Sequence, residues 1–191
     1  MKKELLNEVV HQLLESAETK YRLLNEAPVI SRMTELVIKT LKAGNKVIIL
    51  GNGGSAADAQ HIAAELVGHF SRPNRRPLPA LALTTNTSVL TSVANDYGYK
   101  MVFVRQLVAL ARRGDVLVAL STSGNSPNVL EAVKTARRLG LKTIGFTGQG
   151  GGKLKKLVDI AFCVPSKNTA RIQECHITAG HIICQMVEEA F

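Results

Sequence analysis

From its first residues the chain sets apolar side chains in pairs, four positions apart: Leu5 and Leu6, Val9 and Val10, Leu13 and Leu14. A helix of 3.6 residues per turn collects such positions on one face. The spacing therefore predicts a long amphipathic helix to about Glu26. Pro28 breaks it, and a second helix is expected to about Ala43, closed by Gly44. Beyond Gly44 the pattern changes. KVIIL, ALAL, DVLVALS, KTIGF and IAFCV are short apolar runs rich in β-branched residues, separated by helical stretches or glycine-rich turns. Apolar strands that alternate with helices indicate a parallel sheet covered on both faces. The expectation is a single doubly wound, Rossmann-like α/β domain with a five-stranded parallel sheet, two N-terminal helices and a long C-terminal helix. Residues 1–44 would form a helical extension serving oligomerisation, and residues 45–191 the sheet domain. SRPNRRPLP reads as a basic, proline-rich loop within that domain.

The last helix, from about Thr169, carries Ile172, Cys175, Ala179, Ile182, Ile183, Met186 and Val187 on one stripe. A second stripe holds Ile177, Gly180 and Cys184, with Gln173 and His181 along it. A helix apolar on two sides is buried on two sides. Together with the unattached N-terminal helices, this points to a homo-oligomer packed through helices.

Composition narrows the class. The 191 residues carry a formal net charge of +9, which raises the question of nucleic acid. Yet basic pairs such as Arg112-Arg113, Arg137-Arg138 and Lys155-Lys156 fall at the ends of expected helices, where cations complement the dipole. At 4% aromatic residues there is no stacking platform for single strands. A solvated surface that also attracts small anions is the better reading, and nucleic acid is not expected as a partner. No run approaches the roughly 18 uninterrupted apolar residues of a membrane span, and the N-terminus lacks the apolar core of a signal peptide. Cys163, Cys175 and Cys184 have no CxxC spacing, which favours buried thiols in a reducing compartment, with the cytoplasm as the default.

Two loops suit an anion. GNGGS follows KVIIL, where glycines permit close backbone approach and Ser55 can cap the following helix while donating to an oxygen. STSGNS follows DVLVAL, with Ser121, Thr122, Ser123 and Ser126 around Gly124 ahead of a helix starting near Pro127. Hydroxyls and free N–H groups at a helix start make a phosphate cradle without a Walker lysine. Neither loop fits GxxxxGK[ST] and the first lacks GxGxxG, so nucleotide hydrolysis and dinucleotide binding are disfavoured. The helix after the glycine loop carries His61 and Glu65 on one face, able to share a metal or a hydrogen bond. Gln173 and His181 lie about two turns apart on the last helix and could converge on the same point. Two imidazoles, a carboxylate and an amide oxygen would suit zinc. Glu174 competes with Gln173, and spacing does not choose between them. His11 and His176 read as surface or packing residues.

GNGGSAADAQHIAAELVG, VANDYG, ALSTSGNSPNVLEAV and RIQECHITAGHIICQMVE together resemble the phosphoheptose isomerase family within the SIS (sugar isomerase) fold. The resemblance spans nearly the whole chain. It implies a cytoplasmic homotetramer that converts sedoheptulose 7-phosphate to D-glycero-D-manno-heptose 7-phosphate, the first step toward ADP-heptose for lipopolysaccharide cores or other surface glycans. It also implies one zinc ion per subunit, held by His61, Glu65, Gln173 and His181, which selects Gln173 over Glu174. Asn52, Gly53, Gly54 and Ser55, with Asn95 and Asp96, would line the sugar-phosphate site together with Glu65 and Gln173. Ser121, Thr122, Ser123 and Ser126 would hold the phosphate, and Glu65 and His181 would move protons. One departure is His69, which stands where relatives usually carry arginine; Arg72 or Arg171 would compensate. The rival expectations are a non-catalytic sugar-phosphate-binding regulator of the same fold, such as a replication-initiation partner, and an isomerase of a shorter sugar phosphate. A pure binding module has no chemical need for His61, Glu65, Gln173 and His181 together.

Overall fold

The computed structural model describes residues 2–191. Helix α1 (Lys2–Arg22) ends earlier than its apolar spacing suggests, and a 3-10 turn (Leu23–Glu26) leads into α2 (Ala27–Lys42). Pro28 does not break a helix here. It sits in the first turn of α2, where its missing N–H would have had no intrahelical partner anyway. Gly44, with φ +78°, ends α2.

The five apolar runs are the five strands: β1 (Val47–Leu50), β2 (Ala80–Ala82), β3 (Val116–Leu120), β4 (Lys142–Thr147) and β5 (Ile160–Cys163). They form one parallel sheet in the order β2-β1-β3-β4-β5. Between them run α3 (Gly54–Val67), α4 (Thr87–Tyr97), α5 (Val102–Leu110) and α6 (Pro127–Arg138), and α7 (Thr169–Glu189) closes the chain. Strands β1 and β3 are buried at every position, as near-continuous apolar runs require when helices cover both faces. One layer packs Met33, Val37 and Leu41 of α2, Ile62 and Leu66 of α3, and Ala179, Ile183 and Val187 of α7 against the sheet. The other layer buries Phe103 and Leu107 of α5 and Val129, Ala132 and Val133 of α6.

The strand order fixes where a ligand can sit. The connections after β1 and β3 run to opposite faces, so a crevice opens at the carboxyl ends of these two adjacent strands. Both candidate loops lie there. Outside the packed layers, α1 exposes Leu5, Leu6, Val9, Val10, Leu13 and Leu14. The outer rim of the α7 stripe, Ile182 and Met186, is also partly exposed, while its inner members are buried.

Candidate functional site

The glycine loop is tight for stated reasons. A Cβ on Gly51 would fall 2.6 Å from the Ser55 carbonyl oxygen, and Gly53 has φ +55°. That left-handed turn starts α3 at Gly54, two residues earlier than a Ser55 cap would allow. Ser55 is therefore no cap. It lies buried inside the first helical turn, and Gly53 occupies the N-cap with no side-chain bond.

Down α3, His61 and Glu65 face α7. His61 Nε2 lies 3.1 Å from Glu65 Oε1 and 3.2 Å from His181 Nε2. The helices approach this closely because α7 has Gly180 beside His181, where a Cβ would press to 2.9 Å from Ile62. Ligand atoms of His61, Glu65 and His181 all lie within 4.8 Å of one another. One imidazole nitrogen carries a single proton or a single lone pair, so His61 Nε2 cannot serve both neighbours fully. A cation among the three would satisfy all of them at once. Bonds of about 2.0–2.1 Å in tetrahedral array set ligand separations of roughly 3.3 Å, and the observed 3.1 and 3.2 Å match that edge length. The donor set of two nitrogens and a carboxylate is that of a borderline metal.

Gln173 and Glu174 point to different places. The Gln173 amide packs against Gly54, where an added Cβ would come within 2.6 Å of Nε2. Glu174 faces α1 instead, accepting from Ser16 Oγ at 2.7 Å and pairing with Arg171 at 2.8 Å. Asp58, one turn before His61, was not singled out from the sequence. Its Oδ2 is buried without a hydrogen-bond partner. Burial pushes its pKa up to about 6 against the opposing pull of His61.

Across the crevice, Ser121 and Ser126 share a hydrogen bond of 3.0 Å between hydroxyls. Ser126 is the N-cap residue of α6, yet its side chain caps nothing. Thr122 is half-buried and Ser123 exposed. Gly124, with φ +63°, lies so close to the Gly151 carbonyl that no side chain fits. The two loops are braced together. Asn52 Nδ2 donates to Asn128 Oδ1 at 2.9 Å, and Asn128 Nδ2 donates back to Asn52 Oδ1 at 2.8 Å. Tyr99 OH adds a bond to Asn52 Oδ1 at 3.3 Å.

A loop-bound crevice with three convergent donors agrees with what the chain resembles. Residues 8–148 match the SIS domain family. The phosphoheptose isomerase of Aquifex aeolicus is 53% identical over 186 residues, covering 97% of each chain. The solved structure of the phosphoheptose isomerase from Neisseria gonorrhoeae is 43% identical with a TM-score of 0.91, covering 97% of this chain and 99% of that one. A phosphoheptose isomerase from Francisella tularensis is 36% identical with a TM-score of 0.93, covering 96% and 98%. The chain belongs to the phosphoheptose isomerase family.

Two further placements complete the site. Asn95 and Asp96 sit exposed at the end of α4, hydrogen-bonded to each other at 2.8 Å. The contact from this segment to the glycine loop is made by Tyr99. Arg171 is not free to compensate for His69, because its guanidinium bonds the Gln12 carbonyl and Glu174. Asn128, Tyr99 and Asp58 were missed. Only Asp58 had a sequence signal, its i−3 spacing from His61.

Proposed function

We propose that this chain is the isomerase its relatives are named for, converting sedoheptulose 7-phosphate to D-glycero-D-manno-heptose 7-phosphate. The observation that carries the reading is the His61–Glu65–His181 cluster, assembled beside two anion loops in a chain matched end to end by phosphoheptose isomerases. A regulator that only senses a sugar phosphate would need the loops and not the cluster.

The phosphate binds at the start of α6, where Ser121, Thr122, Ser123 and Ser126 supply hydroxyls and the helix terminus favours negative charge. Asn52, Gly53, Gly54, Ser55, Asn95 and Asp96 line the sugar. That grip presents C1 and C2 to α3 and α7. Glu65 is the base that takes a proton from C1 of the ketose and returns it to C2. His181 donates a proton to the C2 carbonyl oxygen as the enediol forms and takes one back from the C1 hydroxyl as the aldehyde appears. Zinc is the cofactor that fits, held by His61, Glu65, Gln173 and His181; when bound it supplies Lewis-acid polarisation of substrate oxygens.

The exposed apolar stripe of α1 and the rim of α7 support a homo-oligomer, a tetramer as in the family resemblance, with residues 1–44 contributing to its interfaces. The half-open cluster, with His61 side chain 46% exposed, fits a site walled by a neighbouring subunit. No helix among the described residues is long and apolar enough to cross a membrane, and all three cysteines are free thiols, in keeping with a cytoplasmic protein.

The test is turnover of sedoheptulose 7-phosphate by the purified protein, followed by NMR. The aldose phosphate should appear, vanish on chelation and return with zinc. Glu65→Gln and His181→Gln should each abolish turnover in a folded protein. Absence of conversion by zinc-loaded oligomer would refute the reading in favour of a binding protein or another sugar phosphate.

A further inference from the structure

We infer that Arg75 and Glu188 are positioning residues for the proposed isomerase, their bridge setting the spacing of the two helices that carry Glu65 and His181. The inference rests on the reading above for what that spacing serves.

Glu188 lies on the last turn of α7, two turns beyond His181. Its carboxylate gathers the segment that follows α3. Oε1 accepts from Phe70 N at 2.8 Å and Arg75 Nε at 3.1 Å; Oε2 accepts from Ser71 N at 2.7 Å, Ser71 Oγ at 2.8 Å and Arg72 N at 2.9 Å. Both side chains of the pair are 2% exposed. Burial alone would raise the carboxyl pKa, but these donors outweigh it and hold the group down at about 2. Glu188 is therefore ionised at neutral pH.

The other side of Arg75 reaches α3. Nη2 donates to the Glu65 carbonyl at 2.9 Å and to the Gly68 carbonyl at 3.0 Å. The last carbonyls of a helix have no intrahelical partner, and a cation there also complements the dipole. One guanidinium thus closes the end of α3 at the base-bearing residue while it is anchored to α7. A second arm starts from Phe70, whose N–H is held by Glu188 and whose ring lies 5.7 Å from that of His181. Both arms end on the two residues assigned to proton transfer. Capping alone would account for the bond to the Glu65 carbonyl; the Phe70 ring beside His181 ties the same bridge to the second residue.

Lysine keeps the charge but not the fork. Arg75→Lys can pair with Glu188 or reach the end of α3, not both. Deleting either charge outright leaves the other buried and unpaired, which endangers folding. Arg75→Lys should be compared with wild type and with Asp115→Asn. Asp115 is a second buried carboxylate, bonded to Lys46 and Arg112 N at the opposite end of the strands. The readings are kcat and KM for sedoheptulose 7-phosphate below the melting temperature, and the visible spectrum of the cobalt(II)-loaded proteins. Arg75→Lys should lose about tenfold or more in kcat, with KM within about threefold, and shift the cobalt bands. Asp115→Asn should lose stability and keep both. If Arg75→Lys keeps wild-type kcat and spectrum while melting lower, the bridge is structural only and the inference fails. Should Arg75→Lys not fold, Phe70→Leu reads the second arm by the same criteria, and unchanged kcat and spectrum refute the inference. An inactive wild type would sink the isomerase reading, while the cobalt spectra would still decide the bridge.

Discussion

Replacing Gly54 by alanine should separate stability from function in opposite directions. The added Cβ would stand 2.6 Å from Gln173 Nε2 and 2.8 Å from its Cδ and Oε1, where ordinary contact begins at 3.4 Å. The amide must therefore retreat by roughly 0.8 Å, several times the tolerance of about 0.2 Å for a metal–ligand distance. If Gln173 is a zinc ligand, affinity for zinc should fall by about 10- to 100-fold. Stability should not fall with it. Gly54 is the first residue of α3 and has no positive φ, and the obstructing group is the flexible end of a side chain. Glycine to alanine at such a site gains about 0.4–1 kcal/mol by restricting the unfolded chain. The assay is zinc competition against a chromophoric chelator, with thermal melting of the metal-free protein alongside. Because Gly54 also lines the proposed sugar site, activity is not the deciding measurement. The cycle is closed with Gln173→Ala, in whose background Gly54→Ala should change zinc affinity no further. Unchanged zinc affinity in folded Gly54→Ala would remove Gln173 from the metal site.

Acid should weaken the fold through His176, which is fully buried against Phe146 and Phe162 and depressed to about 4 by burial, partly offset by its bond to the Thr147 carbonyl. Its folded pKa lies below the ordinary histidine value of 6.5, so the unfolded chain takes up the proton first; stability is intact above that value and is lost as pH falls toward 4, by up to ~3 kcal/mol. Urea titrations of metal-free wild type and His176→Leu should show this as a difference that shrinks on acidification, and a constant difference would refute it; Asp58, raised to about 6, titrates in the opposite sense but cancels between the two proteins. Leu6→Glu with Leu13→Glu, both on the exposed face of α1, should dissociate the oligomer in light scattering while helical circular dichroism is kept. An intact oligomer would place the interface elsewhere.

The parts of this protein that sequence made legible are those in which neighbours along the chain share one fate. The strands were visible because a parallel strand covered on both faces is mostly apolar, most fully in the central β1 and β3. His61 and Glu65 could be paired because a helix brings residues four apart together. The boundary at Arg22 was misjudged because the apolar repeat continues while Pro28 opens α2 rather than closing α1. What stayed hidden depended on distant partners. Asn128 reads as an ordinary polar residue near a helix start until Asn52 is placed opposite it. Glu188 reads as a surface charge near the C-terminus until the segment Phe70–Arg75 is wrapped around it. Nor did spacing distinguish Gln173 from Glu174, whereas the contact of Glu174 with Ser16 on α1 does.

The reciprocal amide pair of Asn52 and Asn128 bears on how such a site can be remodelled. Each amide donates to and accepts from the other, so changing one residue leaves its mate's amide N–H without that acceptor, while the mate's oxygen keeps its second donor, Tyr99 OH on Asn52 or Val129 N on Asn128. The glycine loop and the serine loop are thereby tied into a single unit of inheritance. A chain drifting toward a sugar of different length could not freely retune one loop and keep the other; productive variants should arrive as paired replacements at these two positions, or leave both untouched.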